Sequence, residues 1–159
     1  MQDSKKETKQ SISLRIARSD LSKVRSIATR LRTRESDVFR FAIKIALAKL
    51  SPLYDSQVKG VDLMPVFIEC GSDLASHFNL DSEQLNKVIN ADLTDTASTV
   101  DLEDINLLAM STMPDRYLQV KLRELTEESI ERTGVSEALQ KYLDKKYLET
   151  APTTSLKGL

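Results

Sequence analysis

Few residues in this chain interrupt regular secondary structure. Four glycines and four prolines are spread over 159 residues. All-β sandwiches and barrels need a turn about every 8–12 residues, so this scarcity argues against them and favours long helices. The glycines also lie too far apart for a dinucleotide-binding fingerprint or a phosphate-binding P-loop. We therefore predict a mainly α fold without glycine-rich nucleotide chemistry.

Charge divides the sequence into two parts of opposite sign. Residues 1–50 contain 13 Lys and Arg against 5 Asp and Glu, a net charge of +8. Residues 51–159 carry −9, so the formal net charge of the whole chain is only −1. A basic segment joined to an acidic one is typical of nucleic-acid-binding proteins, although two solvated surfaces of opposite sign have the same composition. The position of the basic residues has to distinguish these two interpretations.

The basic segment begins with a strand pattern. Polar and apolar residues alternate strictly from residue 11 to 16, which is the period of a β-strand with one buried face. The apolar side consists of Ile12, Leu14 and Ile16, and the polar side consists of Ser11, Ser13 and Arg15. One strand has no partner within residues 1–50, and an open strand edge favours pairing. We therefore predict that two chains pair their strands antiparallel, forming a two-stranded ribbon that fits the major groove of B-DNA.

Two helices are predicted after the strand. Ser19 and Asp20 supply an N-cap and a first-turn acid, and the apolar period then becomes helical up to Leu31. Thr33 is predicted to cap a second helix that is apolar on almost all sides and ends before Pro52. So much apolar surface needs more cover than one short helix provides, which again favours a dimer. The predicted dimer core contains Ile12, Leu14, Ile16, Leu21, Val24, Ile27, Val38, Phe39, Ala42, Ile45 and Ala46.

Residues 10–50 resemble the ribbon-helix-helix DNA-binding proteins, of the Arc, MetJ and CopG kind, and we assign the DNA-binding and dimerisation domain to residues 10–51. The similar stretches are Ser11–Ile16, Leu21–Ala28 and Thr33–Ile43. The resemblance implies an intertwined dimer with one β-strand and two helices per chain. It also implies that outward-facing strand residues read bases, and that the start of the second helix holds a DNA phosphate through backbone amides. Unlike many members, this chain has no glycine between the two helices.

The resemblance places the DNA contacts on particular residues. Base reading is predicted for Ser11, Ser13 and Arg15, and an arginine can make a bidentate contact to guanine O6 and N7. Amides at a helix N-terminus suit a phosphate by dipole and geometry, and phosphate contacts raise affinity without reading sequence. The resemblance implies phosphate binding at Thr33, Arg34, Glu35 and Ser36. The residue types add Lys23, Arg25 and Arg32 as lesser candidates.

The rest of the chain predicts a linker over residues 52–71 and an acidic, mostly helical C-terminal domain over residues 72–149. The apolar run within the linker is interpreted as a short extended segment. In the domain, Asp81-Ser-Glu-Gln84 is typical of a capping box. Further helices are predicted over 101–110, from Pro114 to Arg132, and after a cap at Ser136. The ends, 1–9 and 150–159, are predicted to be flexible.

The sequence contains little that indicates catalysis or metal binding. The single cysteine, Cys70, cannot form an internal disulfide, which is typical of a reducing compartment. The single histidine, His77, lies near Asp73 without an identifiable nucleophile, and with Glu69 and Cys70 it matches no zinc spacing. We expect no enzyme activity, no cofactor and no metal. No apolar run is long enough to span a membrane and no signal-peptide pattern is present, so we expect a cytoplasmic protein without a membrane partner.

The resemblance to ribbon-helix-helix proteins implies a sequence-specific DNA-binding transcriptional regulator, of a bacterial or mobile-element kind. Its partners would be double-stranded DNA and a second copy of the chain, with a tetramer on tandem sites. The C-terminal domain would join dimers or contact RNA polymerase. Two alternatives stay open: an antitoxin whose C-terminal domain masks a toxin protein, and a plasmid relaxosome or partition protein that organises DNA.

Overall fold

The part of the chain that the structure describes is all-helical. The structure is a computed structural model and describes residues 8–111, 113, 115–126 and 134–150, which contain eight α-helices and no β-strand. The chain divides into two compact units, unit 1 (Met1–Ala48) and unit 2 (Lys49–Leu159). Within the described ranges, no helix is both long and apolar enough to cross a lipid bilayer.

Unit 1 contains two helices joined by a tight turn. Helix α1 spans Arg18–Leu31 and helix α2 spans Glu35–Lys49. Between them Arg32 adopts the left-handed conformation, with φ 51° and ψ 45°. A residue other than glycine pays about 1 kcal/mol in this region. The turn is held by backbone hydrogen bonds from the amides of Arg32 and Thr33 to carbonyls in the last turn of α1, so it forms without the glycine common in ribbon-helix-helix proteins.

The predicted β-strand over residues 11–16 is wrong. Residues 8–17 form no β-ladder, and all of them are exposed. A strand is held by hydrogen bonds to a neighbouring strand, and the described residues of this chain provide no such neighbour. The fold class is therefore all-helical over the described residues, rather than one β-strand followed by helices.

The two predicted N-caps of unit 1 are also wrong, each by one or two residues. Helix α1 begins after Ala17, whose carbonyl accepts the first hydrogen bonds, so Ser19 lies inside the helix. Helix α2 follows Arg34, whose carbonyl accepts hydrogen bonds from Asp37 and Val38, so Thr33 is not its cap. In both cases the residue before the helix contributes its backbone, and no side chain caps α1.

Unit 2 packs a set of short helices around a common core. Its elements are α3 (Ser51–Tyr54), a 3-10 helix (Gly60–Leu63), α4 (Met64–Phe78), α5 (Ser82–Ile89), α6 (Leu102–Met110), α7 (Asp115–Thr126) and α8 (Val135–Asp144), which continues as a π-helical turn (Lys145–Glu149). Helix α4 packs against α6 and α8, and α6 also contacts α5 and α7. The core consists of Leu63, Met64, Phe67, Ala75, Leu85, Ile89, Val100, Ile105, Leu107, Leu108, Leu118, Leu122, Leu139 and Leu143.

The predicted linker over 52–71 is wrong from residue 60 onwards. The 3-10 helix and the first half of α4 occupy this stretch, and Met64, Val66 and Phe67 are buried. Pro65 lies in the first turn of α4, where its missing amide hydrogen leaves no hydrogen bond unmade. The apolar run predicted as an extended segment is therefore a core helix.

Two of the predictions for unit 2 are confirmed. At the start of α5, Asp81 Oδ1 accepts a hydrogen bond from the amide of Gln84 at 2.8 Å, and Gln84 Oε1 accepts one from the amide of Asp81 at 3.0 Å. The helix predicted over 101–110 is α6. The predicted cap at Ser136 is wrong, because α8 begins one residue earlier. Pro114, residues 127–132 and most of the predicted flexible ends lie outside the described residues.

Two contacts hold the connection between α5 and α6 against the core. The side chain of Asn90 accepts a hydrogen bond from the amide of Val100 at 2.8 Å and donates one to its carbonyl at 3.0 Å. Gly60 has φ +58°, and a Cβ atom there would lie 1.9 Å from the carbonyl oxygen of Ser98. That same carbonyl accepts a hydrogen bond from the amide of Val61 at 2.9 Å. The connection therefore needs glycine at position 60, for both its conformation and its close approach.

A buried ion pair ties the C-terminal end of unit 2 to α6. Asp104 is fully buried, and its Oδ2 accepts hydrogen bonds from Lys146 Nζ at 2.7 Å and from the hydroxyl of Tyr147. Lys146 also donates to Asp101 at 2.6 Å. Burial lowers the pKa of Lys146, but these two carboxylates outweigh it and hold the pKa above the ordinary value of 10.5. The ion pair therefore stabilises the fold at neutral pH, and its contribution is lost only as the pH rises beyond the ordinary lysine range.

We predict that Gly60→Ala lowers the free energy of unfolding by about 3 kcal/mol, because the new methyl group meets backbone and φ is positive. Gly134→Ala is the matched control, since nothing lies within 4 Å of its Cβ position, and it should cost under about 1 kcal/mol. Urea unfolding of both variants measures the difference. Equal losses of unfolding free energy in the two variants would show that the close contact at Gly60 does not constrain the fold.

We predict that Lys146→Met costs about 2 kcal/mol, because it leaves the Asp104 carboxylate buried without its cation. The value is below that of a fully buried pair, since the Lys146 side chain is 35% exposed. The double variant Asp104→Asn with Lys146→Met should recover part of the loss, because it removes the buried charge as well. A double-mutant cycle by urea unfolding tests this. Strictly additive losses would contradict the coupling.

Candidate nucleic-acid interface

The surface of unit 1 is strongly basic. Over residues 8–48, ten lysines and arginines stand against three acidic residues. All ten basic side chains are exposed. Because none is buried, all of this positive charge faces solvent and can meet an anionic partner.

The three acidic residues neutralise only part of the basic surface. Asp20 pairs with Lys23 at 3.1 Å, and Glu35 pairs with Arg25 at 3.3 Å. The basic side chains without a carboxylate partner among the described residues include Arg15, Arg18, Arg30 and Arg32. Of the predicted DNA contacts, Arg15 and Arg32 are therefore free of an ion pair, while Lys23 and Arg25 already hold one.

Asp37 organises the start of α2. It accepts a bidentate contact from Arg34, with Nε at 2.9 Å and Nη2 at 3.2 Å, and a further hydrogen bond from Arg40 at 2.9 Å. The hydrogen bond from Arg34 lowers the pKa of Asp37, and the same bond raises the pKa of Arg34. A DNA phosphate at Arg34 would therefore have to compete with Asp37. Sequence reasoning missed the roles of Asp37 and Arg40, although their three-residue spacing on one helix face was the available signal.

The predicted phosphate-binding residues Thr33, Arg34, Glu35 and Ser36 are all exposed at the N-terminus of α2. The amides of Glu35 and Ser36 have no acceptor among the described residues. Free amides and the helix dipole favour an anion at this end. The carboxylates of Glu35 and Asp37 lie in the same first turn and already supply negative charge, so they weaken this preference.

Unit 1 buries very little of its apolar surface. Among its described residues only Ala28 and Val38 are buried. Of the predicted dimer core, Val38 is buried, Leu21, Val24 and Phe39 are half-buried, and the others are exposed: Ile12, Leu14, Ile16, Ile27, Ala42, Ile45 and Ala46. Ile12 is 83% exposed, and Phe41, which the prediction omitted, is 66% exposed. Burying an aliphatic or aromatic side chain is worth about 1.5–3 kcal/mol, so these residues strongly favour a covering partner.

The residues considered for catalysis or metal binding lie on α4. Glu69 pairs with Lys49, and Cys70 is half-buried. His77 lies in the last turn and makes an edge contact with Phe78. The described residues contain no group of three or more histidine, cysteine or carboxylate side chains that could hold a metal ion. The exposed charge and the exposed apolar residues of unit 1 make its surface the candidate functional site.

Comparisons with protein-family models, curated proteins and solved structures each find no match to this chain. The resemblance to ribbon-helix-helix proteins therefore stays a prediction made from sequence.

Proposed function

We propose that this protein is a DNA-binding regulator that acts as a homodimer through unit 1. The observation that carries the proposal is the surface of unit 1, where ten exposed basic residues accompany an apolar surface that the chain leaves uncovered. The basic residues supply the electrostatic attraction to DNA, and the apolar residues supply the association between two chains. The proposal does not depend on a β-strand.

The unpaired arginines support DNA as the anionic partner. Each lysine or arginine that neutralises a phosphate releases counterions from the DNA, and this release drives binding. Among the described residues, Arg18, Arg30 and Arg32 hold no ion pair that would have to break first. Arg34 and Arg40 first have to share or lose Asp37. We therefore assign phosphate binding mainly to α1 and the turn that follows it.

Arg15 is our candidate for reading bases. It lies in the exposed segment that precedes α1, between two apolar residues and close to Ser11 and Ser13. Its guanidinium has no ion-pair partner among the described residues. An exposed arginine side chain is long enough to reach a groove, and a bidentate contact to guanine is the commonest specific base contact.

A second copy of the chain is our candidate for covering the apolar surface of unit 1. A unit of roughly 50 residues is marginally stable even when it has a full core. Here α1 and α2 bury one residue each. Symmetric homodimers are the commonest oligomers, and a dimer doubles the number of basic residues that one DNA site meets.

Unit 2 supports a regulatory rather than a DNA-contacting role for the rest of the chain. Residues 51–159 carry −9, which opposes contact with DNA phosphates. The unit also has its own core. We assign it to protein contacts: joining dimers on tandem sites or binding RNA polymerase in a regulator, or a toxin in the antitoxin alternative.

We predict that the full chain sediments as a dimer at micromolar concentration and that Phe41→Asp makes it a monomer, because a charge then enters the apolar interface. Tyr117→Asp is the matched control: Tyr117 is also 66% exposed but lies on α7 of unit 2. It should leave the dimer intact. Analytical ultracentrifugation measures both. A wild-type chain that sediments as a monomer would overturn the dimer.

We predict different losses of DNA affinity for two arginine variants. Arg15→Ala should cost about 1–3 kcal/mol on a DNA site selected from random sequences and much less on random DNA, because it removes a base contact. Arg32→Ala should weaken binding to both DNAs equally and reduce the salt dependence of binding, because one phosphate contact is lost. Salt titrations by fluorescence anisotropy measure these effects.

Two further variants control the DNA experiment. Lys87→Ala removes an exposed lysine of unit 2 and should leave the affinities for the selected site and for random DNA unchanged. Asp37→Asn releases Arg34 and Arg40 and should tighten binding to both DNAs. If Arg15→Ala and Lys87→Ala had the same effect on DNA affinity, the assignment of the DNA interface to unit 1 would be contradicted.

A further inference from the structure

A groove lies in unit 2, whereas every residue assigned to DNA belongs to unit 1. It has a volume of about 660 Å³ and is lined by the start of α5, one face of α6 and the end of α7. Its apolar lining includes Leu80, Leu107, Met110, Met113 and Leu125. Leu107 is buried, whereas Met113 is 54% and Leu125 43% exposed. Over the described residues, the groove therefore has an apolar base and exposed side chains along one side.

The rim of this groove is acidic. Among the described residues, Asp81, Glu103 and Glu124 line it together with one cation, Lys121. Lys121 is itself paired with Glu124 at 3.5 Å. Glu103 has no ion-pair partner among the described residues. The rim thus carries a net negative charge, with at least one carboxylate free to pair.

We propose that this groove binds a basic amphipathic helix of a protein partner. An amphipathic helix presents apolar side chains three and four residues apart, and such a stripe can lie in an apolar groove. Lysines or arginines beside the stripe would meet the carboxylates on the rim. The two methionines suit this use, because their flexible side chains adapt to different apolar surfaces.

The open side of the groove favours a helix over a small molecule. Small-molecule sites bury most of their ligand's surface, whereas here the side chains at the rim are largely exposed. Charge also selects the partner, because an acidic helix would be repelled by the rim. The proposal goes beyond DNA binding, since all the lining residues belong to unit 2.

The test uses the full chain and a synthetic helical peptide as the probe. The peptide carries leucines at i, i+3 and i+7 with lysines beside them, and a matched peptide has glutamates in place of the lysines. Binding is measured by fluorescence anisotropy, and the site is mapped by amide chemical shifts. The lysine peptide should bind at least about ten-fold more tightly than the glutamate peptide, since several surface charge pairs change sign. The amides of Asn106, Met110 and Leu125 should shift.

Variants of exposed residues test the two parts of the groove separately. Glu103→Gln and Glu124→Gln should each weaken binding of the lysine peptide about three-fold, which is the range of a surface ion pair. Met113→Ser should weaken it about five-fold through lost apolar contact. Glu137→Gln is the matched control, because Glu137 is an exposed, paired carboxylate on α8 that does not line the groove. It should leave the affinity unchanged, and all variants should keep the helical circular dichroism of the wild type.

Several results would overturn the proposal. Equal binding of the two peptides would show that the rim does not select charge. Shifts confined to unit 1, or equal losses for Glu103→Gln and Glu137→Gln, would place the peptide elsewhere. A peptide of residues 18–32 of this chain serves as a further probe. If it binds the groove more tightly than the lysine peptide, the occupant of the groove would be a second copy of this chain and not another protein. None of these results depends on DNA binding, so they are separate from a failure of the proposed function.

Discussion

Unit 1 has more apolar surface than two helices can bury, and the function proposed for this protein depends on that excess. Helices α1 and α2 bury only Ala28 and Val38. The free energy available from covering residues such as Ile12 and Phe41 exceeds what any ion pair on this surface can supply. A second chain that covers them also brings a second set of basic residues. In the proposed function, association and DNA affinity are therefore linked through the same short segment.

The acidic residues of unit 1 determine how much of its positive charge is free. Asp37 holds Arg34 and Arg40 beside the N-terminus of α2, where a phosphate would otherwise be favoured. Among the described residues of unit 1, the arginines without an ion-pair partner lie on α1, in the turn and in the segment before α1. Electrostatics thus moves the expected phosphate contacts from the start of α2, where the resemblance predicts them, towards α1 and Arg32.

In unit 2 the buried ion pair and the groove are related through α6. Asp104 faces the interior, where Lys146 and Tyr147 hold it. Glu103, Asn106 and Met110, three or four residues apart, line the groove on another face of the same helix. Because the ion pair fixes the rotation of α6 about its axis, it also determines which side chains of α6 line the groove. The capping box at Asp81 similarly defines where α5 begins, at the edge of the groove.

Local sequence signals determined those features that depend on nearby residues alone. The scarcity of glycine and proline indicates helices, the apolar period locates α1 and α2, and the Asp81 and Gln84 pair marks the start of α5. The separation of basic from acidic residues is likewise visible in the sequence.

Other features required the tertiary structure. The apolar run after residue 60 is compatible with a strand or a helix, and only its burial beside α6 and α8 decided for α4. The alternation over 11–16 has the period of a strand, but a strand also needs a hydrogen-bonded neighbour, which the described chain lacks. The pairing of Asp104 with Lys146 joins residues 42 apart, and no local pattern specifies such a contact, because packing of the intervening helices determines which distant side chains meet.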